Sequence, residues 1–166
     1  MQQMKQEEFR NEPFTDFSKE ENARAMREAL ERVRSELGRE HPLVIGGERV
    51  ETGDILESLN PARKTETVGR FHQATKELAT RAVEQAHEVF QTWSRTLPQQ
   101  RADLLFRVAS LLRERKHYFS AWMIHEVAKS WPEADGDTAE AIDFCEFYAR
   151  EMLRHAAPQP LTRIEG

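Results

Sequence analysis

The hydrophobic period of this chain changes twice, and those changes limit the folds open to it more than any other feature. Ala23, Met26, Leu30, Val33 and Leu37 recur at spacings of 3, 4, 3 and 4, the period of a helix with one narrow apolar stripe. Just before them, Ser18-Lys-Glu-Glu21 is a capping-box pattern in which Ser18 caps the backbone and Glu21 reaches back. Gly38 is placed to end that helix. So narrow a stripe on so charged a helix buries too little to stand alone, and the helix needs a partner surface.

The period then shortens. Leu43-Val-Ile45, Gly46-Gly47 and Glu48-Arg-Val50 predict two short strands around a primed two-residue turn, where both glycines take positive φ cheaply. Residues 55–59 and 65–71 are further short strands, joined through Asn60-Pro61, whose proline disfavours helix at the preceding residue. From Thr75, an N-cap, the helical period returns with Leu78, Ala82, Ala86, Phe90 and Trp93 on one face. Pro98 opens the next helix, with Leu104, Val108, Leu111 and Leu112, and cations 113–116 suit its C-terminus. A third spans 119–129. A fourth starts at Pro132, carries Ile142, Cys145, Ala149 and Met152 in one stripe, and ends before Pro158 and Pro160. The organisation is an arm and helix over 1–40, a β segment over 41–72, four helices over 73–157 and an uncommitted tail over 158–166. The class is mostly helical, about five helices in all, with one short β hairpin and strand segment.

Composition excludes several functions. Twenty-four Lys plus Arg against 29 Asp plus Glu leave a net charge of −5, so no basic stripe exists to neutralise nucleic-acid phosphates. Mean hydropathy is −0.75, and no apolar run nears the roughly 18 residues of a membrane span. The start, MQQMKQEEFR, has no apolar region of a signal peptide. Cys145, the single cysteine, forms no internal disulfide and suits a reducing cytoplasm. None of the 7 glycines lies in a phosphate-loop pattern. The 166 residues make one domain, or one piece of a larger one.

Few residues suggest chemistry. Cys145 lies mid-helix between Asp143 and Glu146, an acidic setting that opposes a catalytic thiolate, so it is a buried structural cysteine. The histidines at 41, 72, 87, 117, 125 and 155 have no metal-ligand spacing. Trp93, Trp122, Trp131, Phe144, Phe147 and Tyr148 sit at helical spacings beside aliphatics and fit a packed core. Glu140 shares a helix face with Phe144, Phe147 and Glu151. A carboxylate among rings can hold a substrate ammonium; alternatively Asp137 and Glu140 form a capping pair, or Glu140 is simply solvated.

Several strings resemble the N-terminal part of an aldehyde dehydrogenase, and specifically the bacterial branch acting on L-glutamate γ-semialdehyde (1-pyrroline-5-carboxylate). They are Phe9-Arg-Asn-Glu-Pro13, His41-Pro-Leu-Val-Ile-Gly-Gly-Glu48, Ser58-Leu-Asn-Pro61, Arg101-Ala-Asp-Leu-Leu-Phe-Arg107 and Asp137-Thr-Ala-Glu-Ala-Ile-Asp-Phe144. The resemblance implies the N-terminal portion of the α/β aldehyde dehydrogenase fold, with residues 73–157 as a helical part of the dinucleotide-binding domain, 158–166 as a truncated linker and the catalytic domain absent. It implies NAD-dependent oxidation of the semialdehyde to L-glutamate in proline breakdown. In that family a cysteine thiolate attacks the aldehyde, hydride passes to the nicotinamide, an Asn and a backbone N–H hold the oxyanion, and a Glu activates water. None of these groups matches a position here, so no catalytic, cofactor or metal residue is assigned, and NAD is expected only of the full-length enzyme. One role carries over: Glu140 falls where the family's glutamate approaches the amino-acid end of the substrate. The family's Glu-x-Gly-Lys reads Glu126-Val-Ala-Lys129 here, so Ala128 strains the turn by about 1 kcal/mol if that position needs positive φ.

The resemblance also implies a cytoplasmic homo-oligomer when complete, acting on a small molecule, with no nucleic-acid or membrane partner. By itself the chain is expected to be inactive and to expose stripes such as Leu104, Val108 and Leu111. Two alternatives stand beside this: a stand-alone helical interaction or regulatory module derived from such an enzyme, and a segment of an aldehyde dehydrogenase with another substrate.

Overall fold

The computed structural model describes residues 8–158. Five helices and five short strands follow in the order α1 (Glu20–Arg34), β1 (Arg39–His41), β2 (Leu43–Ile45), β3 (Glu48–Val50), β4 (Ile55–Leu59), β5 (Thr67–His72), α2 (Lys76–Trp93), α3 (Pro98–Glu114), α4 (Lys116–Val127) and α5 (Trp131–Ala156). Helix α5 packs against α3 and α4, and α1 packs on α4. The stripe of α1 finds its partner surface there: Ala23, Met26 and Val33 are buried.

The β2–β3 hairpin forms as predicted, with Leu43 opposite Val50 and Ile45 opposite Glu48. Gly46 at φ 59° and Gly47 at φ 84° supply the turn. The other sheet has the order β1-β5-β4, with β1 parallel and β4 antiparallel to β5. Strand β1 starts before the segment in which strands were expected; its three residues are all exposed and give no alternation to detect. Asn60 in the β4–β5 turn is buried, accepts Ala62 N–H at 2.9 Å and donates to Glu66 at 2.7 Å.

The capping box at Ser18 does not form. The N-cap is Lys19, without a side-chain bond, because both the N–H and the hydroxyl of Ser18 donate to Asp16, at 3.0 and 2.6 Å. A charged carboxylate two residues away outcompetes the helix N–H groups for that serine. The cap missed in the sequence is Ser130-Trp-Pro-Glu133: the Glu133 carboxylate accepts the Ser130 N–H and hydroxyl at 3.0 and 2.7 Å. Asp137 and Glu140 therefore lie inside α5, not at its start. Thr75 does cap α2, accepting Leu78 N–H at 3.3 Å, and Pro98 is the first residue of α3. Helix α4 begins three residues before the expected 119, running directly on from α3 through Arg115. It ends on Ala128 at φ 55°, ψ 33°, a left-handed cap on a residue with a Cβ.

The arm before α1 is held down by α5. Asp143 accepts Asn11 Nδ2 and Glu12 N–H, both at 2.7 Å. Asp135, 1% exposed, accepts Thr15 N–H at 2.8 Å, the Thr15 hydroxyl at 2.6 Å and Lys116 Nζ at 3.0 Å. Lys116 also donates to Pro13 O at 2.9 Å. Burial pushes the Asp135 carboxyl up, but the bonds from Thr15 and the Lys116 ammonium outweigh it and hold the group below its ordinary value.

Because the folded-state pKa of Asp135 lies below the unfolded one, its contribution is complete at neutral pH and is lost as pH falls through that depressed pKa. Asp135→Asn should therefore lose about 3 to 5 kcal/mol at pH 7, with the gap to the parent closing below about pH 4; urea titrations across pH measure both. Ala128→Gly should raise stability by about 0.5 to 1 kcal/mol by relieving the left-handed Cβ, read in the same titration.

Candidate functional site

One face of α5 carries Glu140, Phe144, Phe147 and Glu151 at spacings that keep them in register along the helix. Glu140, Phe144 and Phe147 are exposed. The rings form a chain: Phe144 stacks on Tyr148 at 5.9 Å, Tyr148 meets Phe147 edge-on at 5.5 Å, and Phe147 meets Phe9 of the arm edge-on at 5.5 Å. The expectation that these aromatics are packed core is corrected here. Phe144, Phe147, Tyr148 and Trp93 are 50%, 42%, 56% and 43% exposed, and Trp122 and Trp131 are half-buried. The interior of α5 is lined instead by Ala134, Ala139, Ile142 and Ala149, small residues that draw α3 and α4 close and leave the rings on the outer side.

The carboxylates of α5 separate into two kinds. Glu133 binds its cap, Asp135 pairs with Lys116, Asp137 with Lys129, Glu146 with Arg113 and Arg150, and Glu151 with Arg154. Asp143 is taken by the arm. Glu140 alone among the described acids of this helix has no hydrogen bond or ion pair. At its end of the helix the site offers an exposed carboxylate one helical turn from Phe144, a group that attracts a cation.

Cys145 is half-buried, less enclosed than expected. Burial and the neighbouring Glu146 both push its thiol above the ordinary value, the reverse of what a nucleophile needs. His72 is buried between Thr52 and Glu40, each at 2.8 Å, and His125 is buried 3.6 Å from Glu66. Among the described residues no group of His, Cys, Asp and Glu could hold a metal ion. Strand β5 passes to α2 through Gln73-Ala74-Thr75, so that junction lacks the glycine turn that cradles a dinucleotide pyrophosphate. No described helix is long and apolar enough to cross a membrane.

The arm's part in this face was missed from sequence because its partners lie 120 and more residues away. One signal was available: Asp135 is in register with the buried Ala139, Ile142 and Ala149, and a carboxylate on an apolar stripe demands a buried partner.

The profile of the aldehyde dehydrogenase family matches residues 49–163. A 1-pyrroline-5-carboxylate dehydrogenase of Geobacillus kaustophilus is 60% identical over 146 residues, which cover 88% of this chain and 28% of that protein. The solved structure of 1-pyrroline-5-carboxylate dehydrogenase from Thermus with bound NAD is 47% identical with a TM-score of 0.92, covering 98% of this chain and 31% of that one. Its counterpart from Mycobacterium tuberculosis is 26% identical with a TM-score of 0.86 over the same shares. The chain thus spans less than a third of the length of these relatives. Its sequence and its fold agree, and the chain belongs to the aldehyde dehydrogenase family.

Proposed function

We propose that this chain supplies the N-terminal part of an NAD-dependent dehydrogenase that oxidises L-glutamate γ-semialdehyde to L-glutamate, a cytoplasmic enzyme of proline catabolism that assembles as a homo-oligomer. The observation that carries this reading is the unpaired Glu140 on a helix whose other described acids are all engaged. Glu140 complements the substrate ammonium, and the carboxylate end is taken by other parts of the enzyme. Hydride acceptance would be supplied by NAD bound to the complete enzyme. The strong likeness to 1-pyrroline-5-carboxylate dehydrogenases supports the substrate.

The exposed faces of α2 and α3 support the view that more protein covers this chain. Helix α2 has no buried residue, and its expected face ends in Phe90 and Trp93 at 56% and 43% exposure. In α3 the stripe of Leu104, Val108 and Leu111 is 50%, 43% and 41% exposed.

The test is a chimera in which residues 1–158 replace the matching segment of the Geobacillus kaustophilus relative. It should reduce NAD with pyrroline-5-carboxylate, whereas the 166-residue chain alone should not; steady-state NADH formation by the chain alone would overturn the assignment of the chemistry elsewhere. In the chimera, Glu140→Gln should raise KM for pyrroline-5-carboxylate by about 10- to 100-fold, the range set by loss of one charge-assisted contact.

A further inference from the structure

The arm contacts the Glu140 helix at both ends and in the middle. Phe9 packs on Phe147 at 5.5 Å, Asn11 and Glu12 bond Asp143, and Thr15 bonds Asp135. From Phe147 to Asp135 is about 18 Å of helix at 1.5 Å per residue. The six steps from Phe9 to Thr15 reach at most about 20 Å when fully extended. The arm therefore runs antiparallel to α5, and Glu140 lies within the span it grips. Glu12 adds a second tie: it accepts Arg113 Nε of α3 at 2.8 Å, and the same guanidinium donates to Glu146 of α5 at 3.3 Å. These contacts are of the positioning kind. Phe9 touches Phe147, whose ring chain continues through Tyr148 to Phe144, one helical turn from Glu140.

We propose that residues 9–15 form a positioning strap for the substrate face of α5, with Phe9 and Asp143 as positioning residues that act through Phe147 and Glu140. The proposal rests on the reading of Glu140 as the contact for the substrate ammonium. A strap tied at Asp135, Asp143 and Phe147 fixes both the rotation of α5 and the ring at Phe147, so loosening it displaces the ammonium contact without touching the reacting atoms. Its signature is a loss confined to substrates that carry the amino-acid end.

The chimera described above tests it. Phe9→Ala and Asp143→Ala should each raise KM for pyrroline-5-carboxylate about tenfold while kcat changes less than about twofold, and kcat/KM for propanal, which lacks the amino-acid end, should stay within about twofold of the parent. Phe9→Leu, which keeps an apolar contact on Phe147, should recover most of the loss. Glu140→Gln is measured alongside. If Glu140→Gln raises KM and the arm variants do not, the strap is overturned and the Glu140 reading stands; if Glu140→Gln leaves KM unmoved, that reading falls and takes the strap's mode of action with it. An equal loss with propanal in the arm variants reduces the arm to a structural brace and overturns the proposal. Should Phe9→Ala fail to fold, Asp143→Asn, which keeps one acceptor oxygen, carries the same comparison.

Discussion

Asp135 is a carboxylate with 1% exposure at a point where three elements meet. It can stay charged there only because Thr15 gives it two hydrogen bonds and Lys116 a third with a full countercharge. Each partner comes from elsewhere in the chain: Thr15 from the arm and Lys116 from the first residue of α4. Neutralising one buried anion thus fixes the arm, the α3–α4 junction and the first turns of α5 relative to one another. The neighbouring Ser120–Thr138 contact at 2.9 Å sits in the same α4–α5 interface and leaves those hydroxyls satisfied. Desolvation makes this arrangement all or none, because a loose arm leaves a charge buried without its partners.

That constraint explains the character of the interior. Among the described residues, seven of the twelve buried apolar side chains are alanines, including Ala102 and Ala109 of α3, Ala121 of α4 and Ala134, Ala139 and Ala149 of α5. Helices that approach on alanine bury little area per residue, roughly 25 cal/mol for each Å², and depend on polar ties to fix their register. The ties are present: Arg113 joins the arm to α5, Tyr118 donates to Glu36 at 2.7 Å between α4 and the end of α1, and Arg150 lies 5.2 Å over the Phe106 ring between α5 and α3.

What the sequence made legible was whatever depends on neighbours in the chain. The Gly46-Gly47 hairpin, the Thr75 cap, Pro98 at a helix start and the five helices are local patterns and were readable as such. Ala128 was legible through family likeness, and its φ of 55° matches the strain foreseen there. Ser18 was misassigned because a stronger acceptor, Asp16, sits two residues upstream. Strand β1 was missed because its ladder partner is β5, some thirty residues on. The aromatics were misplaced for a different reason: helical spacing shows that residues share a face, and does not show whether that face points inward. Glu140 shared this ambiguity. Its register with Phe144 and Phe147 was evident, but its freedom from partners became visible only once the other acids of α5 had found theirs.

The outward placement of large apolar residues carries its own argument. Leu104, Val108 and Leu111 form a stripe as regular as the alanines on the opposite side of α3, and α2 presents Val89, Phe90 and Trp93 beside the β2–β3 hairpin. A helix with two ordered apolar faces, one small and one large, is built to lie between two layers. The small face is satisfied here by α5, so the large one specifies a second layer whose burial is worth more per residue than the first. In the proposed enzyme that layer belongs to the remaining polypeptide.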